Sequence, residues 1–268
     1  MIPALIAIGI VAFLYVLFFL ENCRFKVTNT TIRHKNVRTP FRIVQVSDLH
    51  NKAFGKDNEK LLAAISEAKP DFIVVTGDLF DRHNARAVKN AFAFCDHVVR
   101  IAPTYFIEGN HECALRETGE HDVISVAARG VAVLQNASVD LPQCRLIGLC
   151  QRAEPDVLSG MLSQQRFNLV LAHRPERFPL YAETGADVIL SGHAHGGQVR
   201  FGRLSVYAPQ QGLFPKYTAG IYRIGASILY VSRGLGNTIA APRVFNTPEL
   251  NVLDFQPESG EGVSQHVF

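Results

Sequence analysis

The sequence predicts an α/β protein with one transmembrane helix at its N-terminus, and three observations carry that expectation. Residues 2–20 are apolar and uncharged. From Phe41 onward, short apolar runs alternate with amphipathic stretches. Most of the early runs end in a cluster of Asp, Asn or His. Alternation of strand-like and helix-like segments marks an α/β domain, and one domain can hold the body of a 268-residue chain.

The N-terminal stretch IPALIAIGIVAFLYVLFFL (2–20), wound as a helix at about 1.5 Å per residue, would span roughly 28 Å, close to the hydrocarbon thickness of a bilayer. A cleaved signal peptide competes, but there is no basic segment before the run and ENCRF after it is a poor cleavage site. Residues 21–40 carry Arg24, Lys26, Arg33, Lys35 and Arg38 against Glu21, a balance of +4 in a chain of net charge +3, so the rest sums to −1. The expected organisation is a membrane anchor over 1–21 and a basic juxtamembrane linker over 22–40, lying against anionic headgroups. A folded domain over 41–257 and a flexible tail over 258–268 follow. Positive charge just after the span places the body on the cytoplasmic side of the cell membrane. The near-neutral body argues against nucleic acid as a partner. Five cysteines without a CxxC pair suggest reduced thiols rather than a disulfide framework or a zinc ribbon.

Within the body, FRIVQV (41–46) reads as a strand, and NEKLLAAISEAK (58–69) as a helix stopped by Pro70. DFIVVTG (71–77) is strand-like and ARAVKNAFAFCDHVVR (85–100) helical. TYFIEG (104–109), VAVLQ (131–135), RLIGL (145–149), FNLVLAH (167–173) and ADVILSG (186–192) are further strands, almost wholly apolar as in strands buried on both faces. After Gly197 the segments QVRFGRLSVYA, AGIYRIG, ASILYVS and LNVLDF are β-rich.

The chemistry lies where these runs stop. In order they present Asp48 and His50, Asp78 and Asp81, Asn110 and His111, His173, and then His193 and His195 in VILSGHAHGG. Loops at the carboxyl ends of buried strands are where open α/β sheets place their sites. Oxygen and imidazole donors from five loops suit Mn, Fe or Zn. A carboxylate can bridge two such cations about 3.5–4 Å apart, an arrangement that activates water as a nucleophile at neutral pH. Gly77, Gly109, Gly192 and Gly196 allow the backbone to approach the site closely.

The series D-x-H, G-D-x-x-D, G-N-H-E, a lone H and G-H-x-H, in this order from Phe41 to at least Phe255, resembles the calcineurin-like metallophosphoesterases. AHRPE (172–176), GHAHGGQVR (192–200) and YVSRGLGNT (230–238) are similar to its bacterial membrane-associated phosphodiesterase subgroup. The resemblance implies a four-layer sandwich of two mainly mixed β-sheets flanked by helices. It implies two divalent metal ions, manganese first with iron or zinc as alternatives. Asp48, His50, Asp78 and His195 would hold one ion; Asp78 as the bridge, Asn110, His173 and His193 would hold the other. His111 would face the leaving group as general acid or phosphate contact, oriented by Asp81. The reaction implied is hydrolysis of a phosphodiester or pyrophosphate bond, and the anchor suggested a lipid-linked or nucleotide–lipid substrate. A phosphomonoesterase or phosphoprotein phosphatase and a non-catalytic metal-bound scaffold are the competing readings.

The bland alternatives are specific. Asp81 precedes RHNARAVKN and could cap a helix. Arg82, Arg174, Arg233 and Arg243 are eligible phosphate contacts, but each is expected to be a surface or helix-end residue, and the sequence does not choose among them. His34, His83, His97, His121 and His266 fit no ligand position and are expected to be solvated. Cys113 is expected to pack rather than react. Phe214 and Tyr217, in GLFPKYTAG (212–220), look exposed and are expected to form a substrate lip, to dip into the membrane interface or to pack as an ordinary loop.

Overall fold

The computed structural model describes residues 22–83, 87–119, 123–202, 204–237 and 243–258, with Ile6, Gly9, Phe13, Tyr15, Val16 and Phe19 near the N-terminus. Its strands are β1 (Lys26–His34), β2 (Phe41–Val46), β3 (Phe72–Val75), β4 (Thr104–Phe106), β5 (Ala132–Val133), β6 (Ala137–Asp140), β7 (Arg145–Gly148) and β8 (Asn168–Leu171). There follow β9 (Val188–Ser191), β10 (Arg200–Phe201), β11 (Leu204–Ser205), β12 (Tyr207–Ala208), β13 (Gly212–Leu213), β14 (Gly220–Ile224), β15 (Ser227–Val231) and β16 (Glu249–Pro257).

Two six-stranded sheets result, in the orders β1-β16-β2-β3-β4-β5 and β14-β15-β9-β8-β7-β6. Both are mixed. In the first, β2, β3 and β4 run parallel and β16 lies antiparallel to β2. In the second, β7, β8, β9 and β15 run parallel, with antiparallel β6 and β14 at the edges.

The continuous apolar runs acquire their reason here. Side chains alternate across each strand, and both faces of both sheets are covered. Phe72 and Val74 enter one apolar cluster while Ile73 and Val75 enter another. Leu169 and Leu171 join the same middle cluster, with Val170 pointing the other way. That middle cluster draws on both sheets, uniting Ile43, Leu253 and Phe255 with Leu146, Leu190 and Tyr230. The outer clusters bring in Leu61 and Ile65 of helix Glu59–Ala68 and Phe94 of helix Val88–Val98 on one side. On the other side, Leu158 and Phe178 come from helices Pro155–Ser159 and Phe178–Ala182. The layers are therefore helix, sheet, sheet, helix.

Two expectations need correction. The transmembrane helix expected over 2–20 falls mostly outside the described residues, and among the described residues no helix is long and apolar enough to cross a membrane. The anchor and the single-pass cell-membrane localisation, with its cytoplasmic orientation, are withdrawn accordingly. An uncharged run meets only one condition for a span; crossing also needs about 20 apolar residues in one helix. In addition, part of the segment expected as a basic linker is a strand. β1 pairs parallel with β16 from Lys26↔Glu249 to His34↔Pro257, and Ile32 is buried in the middle cluster. Apart from Glu258, the expected tail lies outside the described residues.

Candidate metal centre

The expected donors stand just after β2, β3, β4, β8 and β9, at the carboxyl ends of the parallel strands in the two sheets, with Asn110 and His111 opening the helix Asn110–Glu117. Pairing of the sheets through the middle cluster brings these edges together. Asp48, His50, Asp78, Asp81, His111, His173, His193 and His195 are all buried there. Donor atoms of Asp48, His50 and His195 lie within 4.8 Å of one another, as do those of Asp78, His173 and His193.

One carboxylate oxygen joins the two groups. Asp78 Oδ2 lies 3.2 Å from His173 Nε2 and 3.9 Å from His50 Nε2. Asn110 Oδ1 is 3.2 Å from His173 Nε2. His193 presents Nδ1 to the centre, 3.2 Å from His173 Nε2, whereas His195 presents Nε2, 3.2 Å from His50 Nε2 and 3.9 Å from Asp48 Oδ1. The turn between β9 and β10 thus directs its two imidazoles to different groups.

The backbone at the centre is contorted to achieve this. Asp48, His50, Asp78, His193 and His195 all have φ between 47° and 66°, a sparsely populated region for non-glycine residues that concentrates at functional sites. At Gly192 even a methyl group is excluded: a Cβ would stand 1.9 Å from Ser47 Oγ and 2.4 Å from Asp48 Oδ2.

Burial sets the charge states. Desolvation raises Asp48 to about 6, opposed by His173. Burial likewise pulls His50 down to about 4 and His193 to about 3, and drives His195 well below its usual value. His173 moves the other way: burial lowers it, but Asp78 outweighs that and leaves it at about 9. Burial alone would raise Asp78; the neighbouring imidazoles, His173 foremost, hold it far below the carboxylate range. The donors therefore fit divalent cations. Imidazole nitrogens converge in two pairs at 3.2 Å, His50 Nε2 with His195 Nε2 and His193 Nδ1 with His173 Nε2, and each pair needs a proton or a metal ion between its nitrogens.

His111 stands beside this set. Its ring is 4.6 Å from that of His50, its backbone N–H donates to Asp78 Oδ1 at 2.9 Å, and its Nδ1 lies 3.3 Å from Asp81 Oδ1. Burial lowers its pKa, but Asp81 and Asp78 reverse the shift and raise it.

Residues 41–197, more than half the chain, match the family described as calcineurin-like phosphoesterases. The chain belongs to that family. It is 29% identical over 231 residues to an uncharacterized metallophosphoesterase of Bacillus subtilis, covering 80% of this chain and 78% of that one. It is 29% identical over 242 residues to phosphodiesterase YaeI of Escherichia coli, covering 83% and 87%. An uncharacterized metallophosphoesterase of Campylobacter jejuni is 28% identical over 245 residues; these are 86% of this chain but only 63% of that relative. As a calcineurin-like phosphoesterase, the chain is a metal-dependent phosphoric ester hydrolase.

Several residues of this metallophosphoesterase site escape a motif reading. Glu112 is buried, and its carboxylate accepts backbone N–H bonds from Asp78 (2.9 Å), Gly109 (2.6 Å) and Phe80 (2.9 Å). It braces the Asp78 loop against the Asn110–His111 turn. Burial, with Asp78 adding to it, pushes its pKa up to about 7. The last residue of G-N-H-E could have signalled this, because a glutamate three residues after a helix-opening Gly can reach back to free N–H groups. Beneath Asp48 runs a second support: Gln45 Nε2 donates to Thr76 Oγ1, Thr76 to Ser47 Oγ, and Ser47 to Asp48 Oδ2 at 2.6 Å.

The arginines separate. Arg243 is fully buried, bonded to the Gly236 carbonyl and 3.3 Å from His195 Nδ1. Arg233 lies 3.7 Å from Glu249, and exposed Arg82 donates to His83. Arg174 donates a 2.7 Å bond to Gln151, and its charge acts on His193. His34, expected in solvent, is buried, whereas His97 is exposed. His121 and His266 lie outside the described residues. Phe214 is exposed as expected, and Tyr217 is buried.

Proposed function

We propose that the chain hydrolyses phosphodiester or pyrophosphate bonds with two divalent cations. Asp48, His50 and His195 would hold one, Asn110, His173 and His193 the other, with Asp78 shared. The observation that carries this reading is the Asp78 Oδ2 atom, within 3.9 Å of imidazole nitrogens from both groups. The cations supply Lewis acidity and an activated water when bound. An all-oxygen and imidazole donor set favours manganese, with iron or zinc next.

The chain's own groups do the rest. His111, its pKa raised, would pair through Nδ1 with Asp81 Oδ1 at 3.3 Å, a nitrogen that the Arg82 backbone N–H also approaches at 3.2 Å, and would turn Nε2–H to the oxygen of the departing alcohol or phosphate. Asp81 fixes the ring orientation, and its Oδ1 also accepts the His83 backbone N–H at 2.9 Å. Arg174, held by Gln151 and close enough for its charge to act on His193, would be the arginine that meets a phosphate oxygen.

The substrate carries an apolar portion, as a lipid-linked phosphodiester does. This rests on Phe201, Leu204, Tyr207, Leu213 and Phe214, each 46–69% exposed on or just after the hairpins β10–β11 and β12–β13. The turn of the second hairpin reaches His193 through Gln210.

The test uses manganese-loaded protein on a chromogenic phosphodiester, the matching monoester, and a diester bearing a long alkyl group. Diester cleavage preferred over monoester, a lower KM for the alkyl diester, and a fall in kcat of about 10²–10⁴-fold in His111→Ala are expected. A preference for the monoester, or full activity in Asp78→Asn, would defeat the proposal.

A further inference from the structure

The two nitrogens of His193 face opposite ways. Nδ1 points to the centre, 3.2 Å from His173 Nε2, so Nε2 points outward, where it meets the side-chain oxygen of Gln210. An imidazole that offers Nδ1 to a cation must carry its proton on Nε2, and that N–H needs an acceptor. Gln210 Oε1 is that acceptor. His173 shows the mirror arrangement, with Nδ1 donating to the Thr76 carbonyl at 2.7 Å and Nε2 left for the centre. In the other group, His50 Nδ1 has no hydrogen-bond partner among the described residues, and His195 Nδ1 faces the Arg243 guanidinium at 3.3 Å.

The position of Gln210 is built rather than incidental. It lies in the turn between β12 and β13 with φ of 55°, a left-handed conformation that is costly for a glutamine. The hairpin under it is fastened. Ala208 is fully buried, and the Gln211 side chain bonds both the N–H and the carbonyl of Tyr217 at 2.8 and 2.7 Å. Tyr217 in turn packs edge-on against Phe178 and Tyr222.

We propose that Gln210 is a positioning residue for the metal centre: by accepting the His193 Nε2 proton it fixes the tautomer that leaves Nδ1 free, and so sets the affinity of the Asp78–His173–His193 group for its cation. The proposal rests on the dinuclear reading above. It also makes the outer hairpin, which carries the exposed apolar side chains, a part of the metal site.

The test titrates chelator-stripped full-length protein with Mn²⁺ by calorimetry and with Co²⁺ by visible absorption. Parallel ¹⁵N NMR of the metal-free protein reads the His193 tautomer. Gln210→Ala and Gln210→Gly both remove the acceptor, and the glycine also relieves the left-handed φ, so backbone strain cannot explain a shared effect. One of two metal equivalents should weaken by about 10–100-fold in both variants. The other should stay unchanged, and the Nε2–H tautomer should lose its dominance. Gln210→Glu, which keeps an acceptor oxygen, should restore both readouts. Wild-type affinities in Gln210→Ala and Gln210→Gly would overturn the proposal. So would equal weakening of both equivalents that Gln210→Glu fails to rescue. If the wild type itself binds no divalent metal, the dinuclear reading falls first and takes this one with it.

Discussion

Gly109→Ala is a perturbation whose size can be worked from the structure. Gly109 has φ of −90°, which any residue can adopt, so the added methyl acts by volume alone. Its Cβ would stand 2.0 Å from Asp78 Oδ1, where ordinary contact begins near 3.4 Å. The Asp78 carboxylate, whose Oδ2 faces both groups of donors, must retreat by about 1.4 Å, and the Asp78 backbone N, 2.3 Å from the same Cβ, must shift with it. A displacement of that order at a reacting centre costs about 100-fold or more in rate. Two controls separate this from a general cost. At Gly148 a Cβ would meet Leu134 Cβ at 2.2 Å inside the core, so Gly148→Ala should lose about 1–3 kcal/mol of stability and still bind metal. At Gly160, with φ of −66° and its nearest contact at 3.5 Å, alanine should be harmless. The assay is kcat on a phosphodiester, with metal content by elemental analysis and melting by circular dichroism. Wild-type metal content and kcat in Gly109→Ala would refute the claim that this backbone must be bare for Asp78 to sit where it does.

Three further outcomes are expected. Glu112→Ala strands three backbone N–H groups at about 1–3 kcal/mol each; chemical denaturation should show a loss of about 3 kcal/mol or more, and a loss under 1 kcal/mol would remove the bracing role. Divalent metal at a hundredfold excess over Kd should add about 2.7 kcal/mol, or about 5–11 °C in Tm, and Asp78→Asn should abolish most of that rise. Burial lowers the pKa of His34, against the pull of Asp187 at 3.7 Å. The folded state therefore binds that proton less readily than the unfolded chain. Stability from His34 is complete above about pH 6.5 and is lost as pH falls. His34→Gln should narrow the gap in Tm between pH 7.5 and pH 5.5, and an unchanged gap would show that His34 is not the acid-sensitive group.

Much of the site was legible along the chain because two local signals coincide. Strands buried on both faces must be apolar throughout, so they stand out from their flanks, and polar donors at their ends then have one place to go, the sheet edge. Asp48, Asp78, Asn110, His173 and the His193–His195 pair all follow this rule. The order of motifs from Asp48 to His195 carried the family, which the match over residues 41–197 bears out. Hydropathy taken alone carried less. The uncharged run at the N-terminus suggested a membrane span, and no described helix provides one.

Other features depended on residues far apart in the chain meeting in space. β1 is polar and exposed along much of its length, and only pairing with β16 makes it a strand. The His193 backbone N–H bonds Asp48 across 145 positions, and Gln45 reaches the Ser191 carbonyl across 146. Which nitrogen each imidazole turns inward is settled by outer partners as different as a backbone carbonyl at Thr76, an amide at Gln210 and a guanidinium at Arg243. Glu112 gains its role only because two loops leave three N–H groups pointing at one carboxylate. Residue type and local period report what a side chain can do and which way a strand faces. The partner that decides whether it does so is supplied by packing two sheets face to face.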